Sequence, residues 1–123
     1  MTKVLVDACG WVAIIEAGLN IDHAMSDVVG DFEPVLLQKV LNELERLQSY
    51  STTALLLELL VTRSEIIEGP EEAKHPDDQL VIVSSTENWP VLTVDKRLKQ
   101  RLIEMNCSYI EVMGGQNLRH VTL

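Results

Sequence analysis

The chain has 123 residues, 46% of them hydrophobic, and a formal net charge of −9. That is enough apolar material for one compact domain with a real core, and no apolar run is long enough to cross a bilayer. The acidic balance excludes a general nucleic-acid-binding surface, so any nucleic acid must be held by a local basic patch. A soluble cytoplasmic protein is expected, with no signal peptide, because Asp7 interrupts the first apolar stretch almost at once.

Lys3-Val4-Leu5-Val6 reads as a buried strand that stops at Asp7. Helices are expected over about residues 10–17, ended by Gly18, and about 22–29. A strand over about 34–37 leads into a helix over about 38–49. Ser51 is placed as the cap of a further helix over 52–61. Its residues Leu55, Leu56, Leu57, Leu59, Leu60 and Val61 are apolar nearly all round, a pattern that demands deep burial or a partner. A homodimer using apolar surface from the helices before residue 62 is the corresponding expectation.

A short strand over 64–67 comes next, and residues 68–72 are the expected mobile loop. Pro76 suits the first turn of a helix over 76–86. Pro90 excludes helix immediately before a strand at 91–94. A helix over 96–105 and a strand over 108–112 complete a domain spanning 1–113, with 114–123 set apart as a C-terminal tail. Strands alternating with helices indicate an α/β fold: a parallel sheet, right-handed crossovers and helices on both faces.

Cys9 and Cys107 are the only cysteines. They fall at opposite ends of such a sheet, beyond the roughly 7 Å that a disulfide spans, so both are read as free thiols. Cys9 adjoins Asp7 rather than a base, which is the wrong setting for a nucleophile.

Four acids stand out: Asp7, Glu43, Asp77 and Asp95. Asp7 and Asp95 each end a strand, and open α/β sheets bind ligands just beyond the carboxyl ends of their strands. Each acid has an ordinary use as well. Asp7 and Asp95 suit helix caps, Asp77 and Asp78 suit the first turn of a helix, and Glu43 suits an exposed helix face. Together, four carboxylates would repel unless a cation joined them, and hard divalent cations in such clusters support in-line phosphodiester hydrolysis. Thr93 lies two residues before Asp95, placed to orient a carboxylate or a water. Lys96, Arg97, Lys99 and Arg101 follow at once as candidate phosphate contacts. Trp11 is more naturally a core residue than a base-stacking one, Trp89 is structural, and His75 is a weak candidate beside a metal or leaving group.

Val4-Leu5-Val6-Asp7, Val40-Leu41-Asn42-Glu43-Leu44, Asp77-Asp78-Gln79-Leu80 and Leu92-Thr93-Val94-Asp95 resemble, in order and spacing, the four acidic motifs of the PIN-domain nucleases. The stretch from His75 to Val112 is particularly similar to the archaeal and eukaryotic branch linked to ribosomal-RNA processing. The resemblance implies a three-layer α/β/α sandwich with a parallel sheet ordered 3-2-1-4-5. It also implies Mg²⁺- or Mn²⁺-dependent cleavage of single-stranded or exposed RNA. Asp7, Glu43, Asp77 and Asp95 carry over as catalytic, metal-binding positions, with Asp78 and Thr93 auxiliary. Asp77 is preferred to Asp78 from its offset to the following helix. Cys9 departs from the small hydroxyl or amide residue that the family often has there. The competing readings are a catalytically silent scaffold binding RNA or protein in ribosome assembly, a toxin–antitoxin RNase, and a receiver domain. The receiver is disfavoured because the first strand ends in a single acid and the middle strand offers only Glu65.

Overall fold

In the computed structural model, which describes residues 1–114 and 116–122, six strands form one sheet flanked by helices. β1 (Thr2–Val6) leads through α1 (Ala8–Glu16) and α2 (Ile21–Val29) to β2 (Phe32–Leu37). α3 (Gln38–Tyr50) and α4 (Leu57–Arg63) precede β3 (Glu65–Ile67), and α5 (Pro76–Glu87) precedes β4 (Val91–Leu92). α6 (Lys96–Glu104), β5 (Tyr109–Met113) and β6 (Asn117–Val121) complete the chain. The order is β3-β2-β1-β4-β5-β6, parallel from β3 to β5, in an α/β/α sandwich.

The central strands are apolar without alternation because both faces of the sheet are covered. Val4, Leu5, Val35, Leu36, Leu37, Val91, Leu92 and Ile110 are all fully buried. Trp11, Ile14, Met25, Leu44, Leu60, Leu80, Leu98 and Leu102 join them in one core. The Trp11 indole donates to the Leu55 carbonyl at 2.7 Å, so this ring serves packing, not base stacking. Among the described residues, no helix is long and apolar enough to cross a membrane.

The chain runs outward from β1 through β2 to β3, then returns to place β4 on the other side of β1. Connections therefore leave β1 and β4 in opposite directions, and a crevice opens beyond their carboxyl ends. α1 lies tightly against that boundary. A Cβ added at Gly10 would meet the Leu92 carbonyl oxygen at 2.3 Å, a contact with β4 backbone that cannot swing aside. Gly10→Ala is therefore expected to cost about 3 kcal/mol, at the upper end of ordinary overpacking. Chemical denaturation checks this, and a loss below about 0.5 kcal/mol would show that α1 shifts freely.

Four segments differ from the expectations. Ser51 terminates α3 instead of capping the next helix. Its hydroxyl closes a local turn with Thr53, and α4 begins only at Leu57, after Leu56 adopts a left-handed conformation at φ 52°. Leu-rich composition favours helix, but the Trp11 bond to Leu55 and a Gln48 side chain accepting from the Leu55 N–H fix an irregular chain there. The strand expected over 91–94 is laddered only at Val91–Leu92.

The 68–72 loop is pinned: the buried Gln79 amide donates to the carbonyls of Pro70 and Ala73, and Gly69 lies against it where a Cβ would clash. The expected tail is largely β6, which pairs antiparallel with β5 after a turn at Gly114, φ 52°. Leu118 points inward, and Arg119 bonds Glu111 across the pair. Gly115 and Leu123, also assigned to that tail, lie outside the described residues.

Candidate active site at the β1–β4 edge

Asp7 caps α1 and is 5% exposed. One carboxylate oxygen accepts the Ala8 N–H at 2.9 Å. The other accepts the Thr93 hydroxyl at 2.8 Å and the Cys9 thiol at 3.0 Å. Thr93 is fully buried, and its oxygen also accepts the Asp95 N–H at 3.1 Å. Asp95 in turn caps α6 by accepting the Leu98 N–H at 3.0 Å. The capping uses of these acids and their shared position are thus both realised. Thr93 is the physical link between the ends of β1 and β4, setting the rotamer of one acid and the backbone of the other.

Cys9 takes part as a donor. Burial, and then the adjacent Asp7 charge, push its thiol up to about 11, so it stays protonated at neutral pH. That removes it as a nucleophile and gives it a holding role beside Thr93.

Glu43 projects from α3 and Asp77 from the first turn of α5, both partly exposed. Burial raises the Glu43 carboxyl above its ordinary range, and the charges of Asp7 and Asp77 raise it further. Burial likewise raises Asp77, with Asp7 and Asp95 adding to the effect. Glu43 thus feels the charges of Asp7 and Asp77, and Asp77 those of Asp7 and Asp95. His75 opposes both shifts from between them, and Arg46 also lowers Glu43. His75 caps α5, its Nδ1 accepting the Asp77 N–H at 3.1 Å.

Among the described residues, no three of the Asp, Glu, His and Cys side chains stand close enough to close on a metal ion in this arrangement. The donor chemistry fits a hard divalent cation even so. Every acid offers anionic oxygen, and both the burial and the neighbouring acids that raise Glu43 and Asp77 disfavour bare charge, which a cation would offset.

The other candidates divide. Arg97 lines a groove of about 550 Å³ that also contains His75, Asp77 and Asp78. Lys96 is exposed at the start of α6. Lys99 is turned away from the crevice: it bonds Glu111 at 2.6 Å and lies over the Tyr109 ring. Arg101 is paired with Asp78 at 2.7 Å, which engages both side chains in a surface ion pair. Trp89 packs partly against the core with the Lys3 ammonium 5.2 Å from its ring.

The basic side chains that sequence reasoning missed are Lys39, Arg46 and Lys74. They share a groove of about 440 Å³ with Glu43 and His75. The available signal was the α3 spacing, which puts Lys39, Asn42, Glu43 and Arg46 on one face.

No curated protein matches the sequence. Among solved structures, the PIN domain endonuclease Utp24 is similar in fold, with a TM-score of 0.80 and 20% identity, over 98% of this chain and 92% of that one. PAE2754 from Pyrobaculum aerophilum is similar at a TM-score of 0.57 and 14% identity, over 81% and 84% of the two chains. At these identities the likeness concerns the fold. The family profile described as "PIN like domain" matches residues 4–114, a span that includes all four acids and runs from within β1 to the end of β5. On that match the chain belongs to the PIN-like domain family.

Proposed function

We propose that this protein is a divalent-metal-dependent endoribonuclease that hydrolyses phosphodiester bonds in single-stranded or exposed RNA. The observation that carries the reading is Asp7: a nearly buried carboxylate held by Thr93 and Cys9, with Glu43 and Asp77 raised first by burial and then by its charge. Asp7, Glu43, Asp77 and Asp95 would hold Mg²⁺ or Mn²⁺. When bound, such an ion supplies an activated water and neutralises charge developing on the phosphate.

The protein's own part is positional. Thr93 and Cys9 donate to one Asp7 oxygen, keeping the carboxylate oriented. Asp95 is fixed by its cap and by Thr93, whereas Glu43 and Asp77 stand on separate helices with more freedom to adjust. Arg97 and Lys96 would meet phosphate beside Asp77, and Lys99 and Arg101 would contribute only by giving up Glu111 and Asp78. Ribosomal-RNA precursors, met in the cytoplasm, are the substrate class that the motif resemblance favours; a toxin RNase would use the same site on a different RNA.

The test is a cleavage assay on structured and single-stranded RNA, with and without Mg²⁺ or Mn²⁺ and with an Asp7→Asn control. The open spacing of the acids favours one other reading, a silent scaffold in ribosome assembly. That reading expects RNA or protein binding with no metal-dependent cleavage.

Thr93→Val supplies a finer test. It keeps the shape but removes the donor to Asp7 and the acceptor for the Asp95 N–H. Loss of such an orienting bond is expected to cost about 10–100-fold in cleavage or metal affinity. An unchanged rate at limiting metal would remove Thr93 from the machinery.

Self-association belongs to the same reading. Leu56 and Leu59 are 52% and 51% exposed and line a largely apolar cavity of about 210 Å³ with residues of α1, α2, β2 and α4, the Asp22–Arg63 ion pair among them. Burying that surface favours a homodimer. Light scattering that finds a monomer at every concentration would reject it.

A further inference from the structure

The ten Lys and Arg side chains of this acidic protein are not spent evenly. Among the described residues, Lys3, Arg63, Lys99, Arg101 and Arg119 each lie within 4.0 Å of a carboxylate. Lys39, Arg46, Lys74, Lys96 and Arg97 have no such partner among those residues, and all five are exposed. Their placement is not scattered. Lys96 and Arg97 open α6 directly after Asp95, and Arg97 lines the groove beside Asp77. Lys39 and Arg46 flank Glu43 on one face of α3, and Lys74 faces them from the loop before α5. The pinning of that loop by Gln79 fixes where Lys74 begins. His75 lines both grooves, so the two meet beside the acids.

Resting on the endoribonuclease reading, we propose that Lys39, Arg46 and Lys74 form a second phosphate-binding arm, which holds the RNA backbone on the Glu43 side of the cleaved bond while Arg97 holds it on the Asp77 side. A strand gripped on both sides is cut internally, and its single-stranded character must extend across both grooves. RNA is the occupant because the groove offers cations around a phosphodiester-cutting centre and no ring of Trp, Tyr or Phe. Its grip is therefore on phosphate, indifferent to base identity, rather than on stacked bases. In a chain of net charge −9, unpaired cations gathered here also give an approaching polyanion one favourable landing zone.

Binding of a fluorescently labelled oligouridylate, measured in chelator so that nothing is cut, isolates this claim from catalysis. Each phosphate contact on a single strand adds about 0.7 to the steepness of log affinity against log salt. Combining Lys39→Gln, Arg46→Gln and Lys74→Gln is expected to flatten that slope by about 2. Between about 50 and 200 mM salt, wild type should then lose roughly twentyfold more affinity than the variant does. Lys3→Gln, whose ammonium is paired with Glu65 at the other end of the sheet, should leave the slope unchanged.

An unaltered slope in the triple variant overturns the arm, as does a wild-type chain that binds no RNA. Preferential binding of an acidic polypeptide over RNA would also overturn it. Because the substituted side chains are exposed, the variants should melt as wild type does, and each single variant should show about a third of the effect. A flattened slope in a chain that proves unable to cleave RNA would support the arm and sink the nuclease reading alone.

Discussion

Asp7→Asn should abolish Mg²⁺- or Mn²⁺-dependent RNA cleavage, by about a thousandfold or more, while leaving the fold intact. The substitution preserves the shape of a side chain that is 5% exposed, so the core around α1 and β1 need not repack. It removes the negative charge that a hard cation seeks, and losing a transition-state contact of about 4 kcal/mol corresponds to that factor. The amide oxygen can still accept the Ala8 N–H while its NH2 donates to the Thr93 oxygen, so the local scaffold has partners to keep.

The direction of the stability change is the discriminating part of this result. Asp7 raises both Glu43 and Asp77, which means that the three ionised carboxylates repel in the absence of metal. Neutralising one of them should leave the metal-free protein as stable as wild type or more so. Wild type, in turn, should gain more than the variant when metal is added, since only an ion bound to the folded state stabilises it. Cleavage and melting with and without metal are measured together, and Asp95→Asn should lose cleavage in the same way. Full activity in both variants would end the metal assignment. A variant that melts far below wild type without metal would show that Asp7 is chiefly a structural cap.

How much of this was readable beforehand follows from the range over which each feature is determined. The central strands were legible because burial on both faces forces continuous apolar runs such as Val4-Leu5-Val6, and turn residues bound them. Asp7 and Asp95 were legible for the same reason: a strand's end fixes where its next residue stands, whatever packs around it. Pro76 and Gly18 marked helix ends through backbone chemistry alone, and Gly18 does take a positive φ.

What was missed depends on distant partners. Nothing near Leu56 announces a left-handed residue; the chain is irregular there because Trp11 and Gln48 reach it from other helices. β6 is a short edge strand with a single inward leucine, and its pairing is recognisable only once Glu111 stands opposite Arg119. Likewise, Lys99 and Arg97 look equivalent along α6. Only the fold reveals that one is bound to Glu111 and the other is left beside Asp77. Cys9 seemed a departure from a hydroxyl or amide, yet a protonated thiol two residues past Asp7 donates to it as those groups would.

Glu111→Ala should be the most destabilising of the surface-remote polar substitutions, costing about 3 kcal/mol, or roughly 10 °C in Tm for a domain of this size. The Glu111 side chain is 7% exposed and receives Lys99 from α6 and Arg119 from β6 on its two oxygens. It thereby ties a helix and the edge strand to β5. Removing it leaves Lys99, only 18% exposed, without its carboxylate, and that stranded charge supplies most of the cost. Arg119, 57% exposed, can turn to water.

The pH dependence follows with a definite sign. The Lys99 hydrogen bond first, with Arg119 adding to it, holds the Glu111 carboxyl below its ordinary value of 4.5. A depressed carboxyl contributes stability that is present above its unfolded value and lost as pH falls through the folded one. Wild type should therefore lose this contribution in acid below about pH 4.5, and the difference between wild type and Glu111→Ala should shrink over the same window. Adding Lys99→Met to a Glu111→Leu variant should recover most of the loss, because a packed apolar pair replaces a buried ionic one at little net cost. Melting curves of wild type, Glu111→Ala, Glu111→Leu and the Glu111→Leu/Lys99→Met double variant from neutral to acid pH decide it. A Glu111→Ala variant within about 0.5 kcal/mol of wild type at neutral pH would show that α6 and β6 are held by their apolar faces alone.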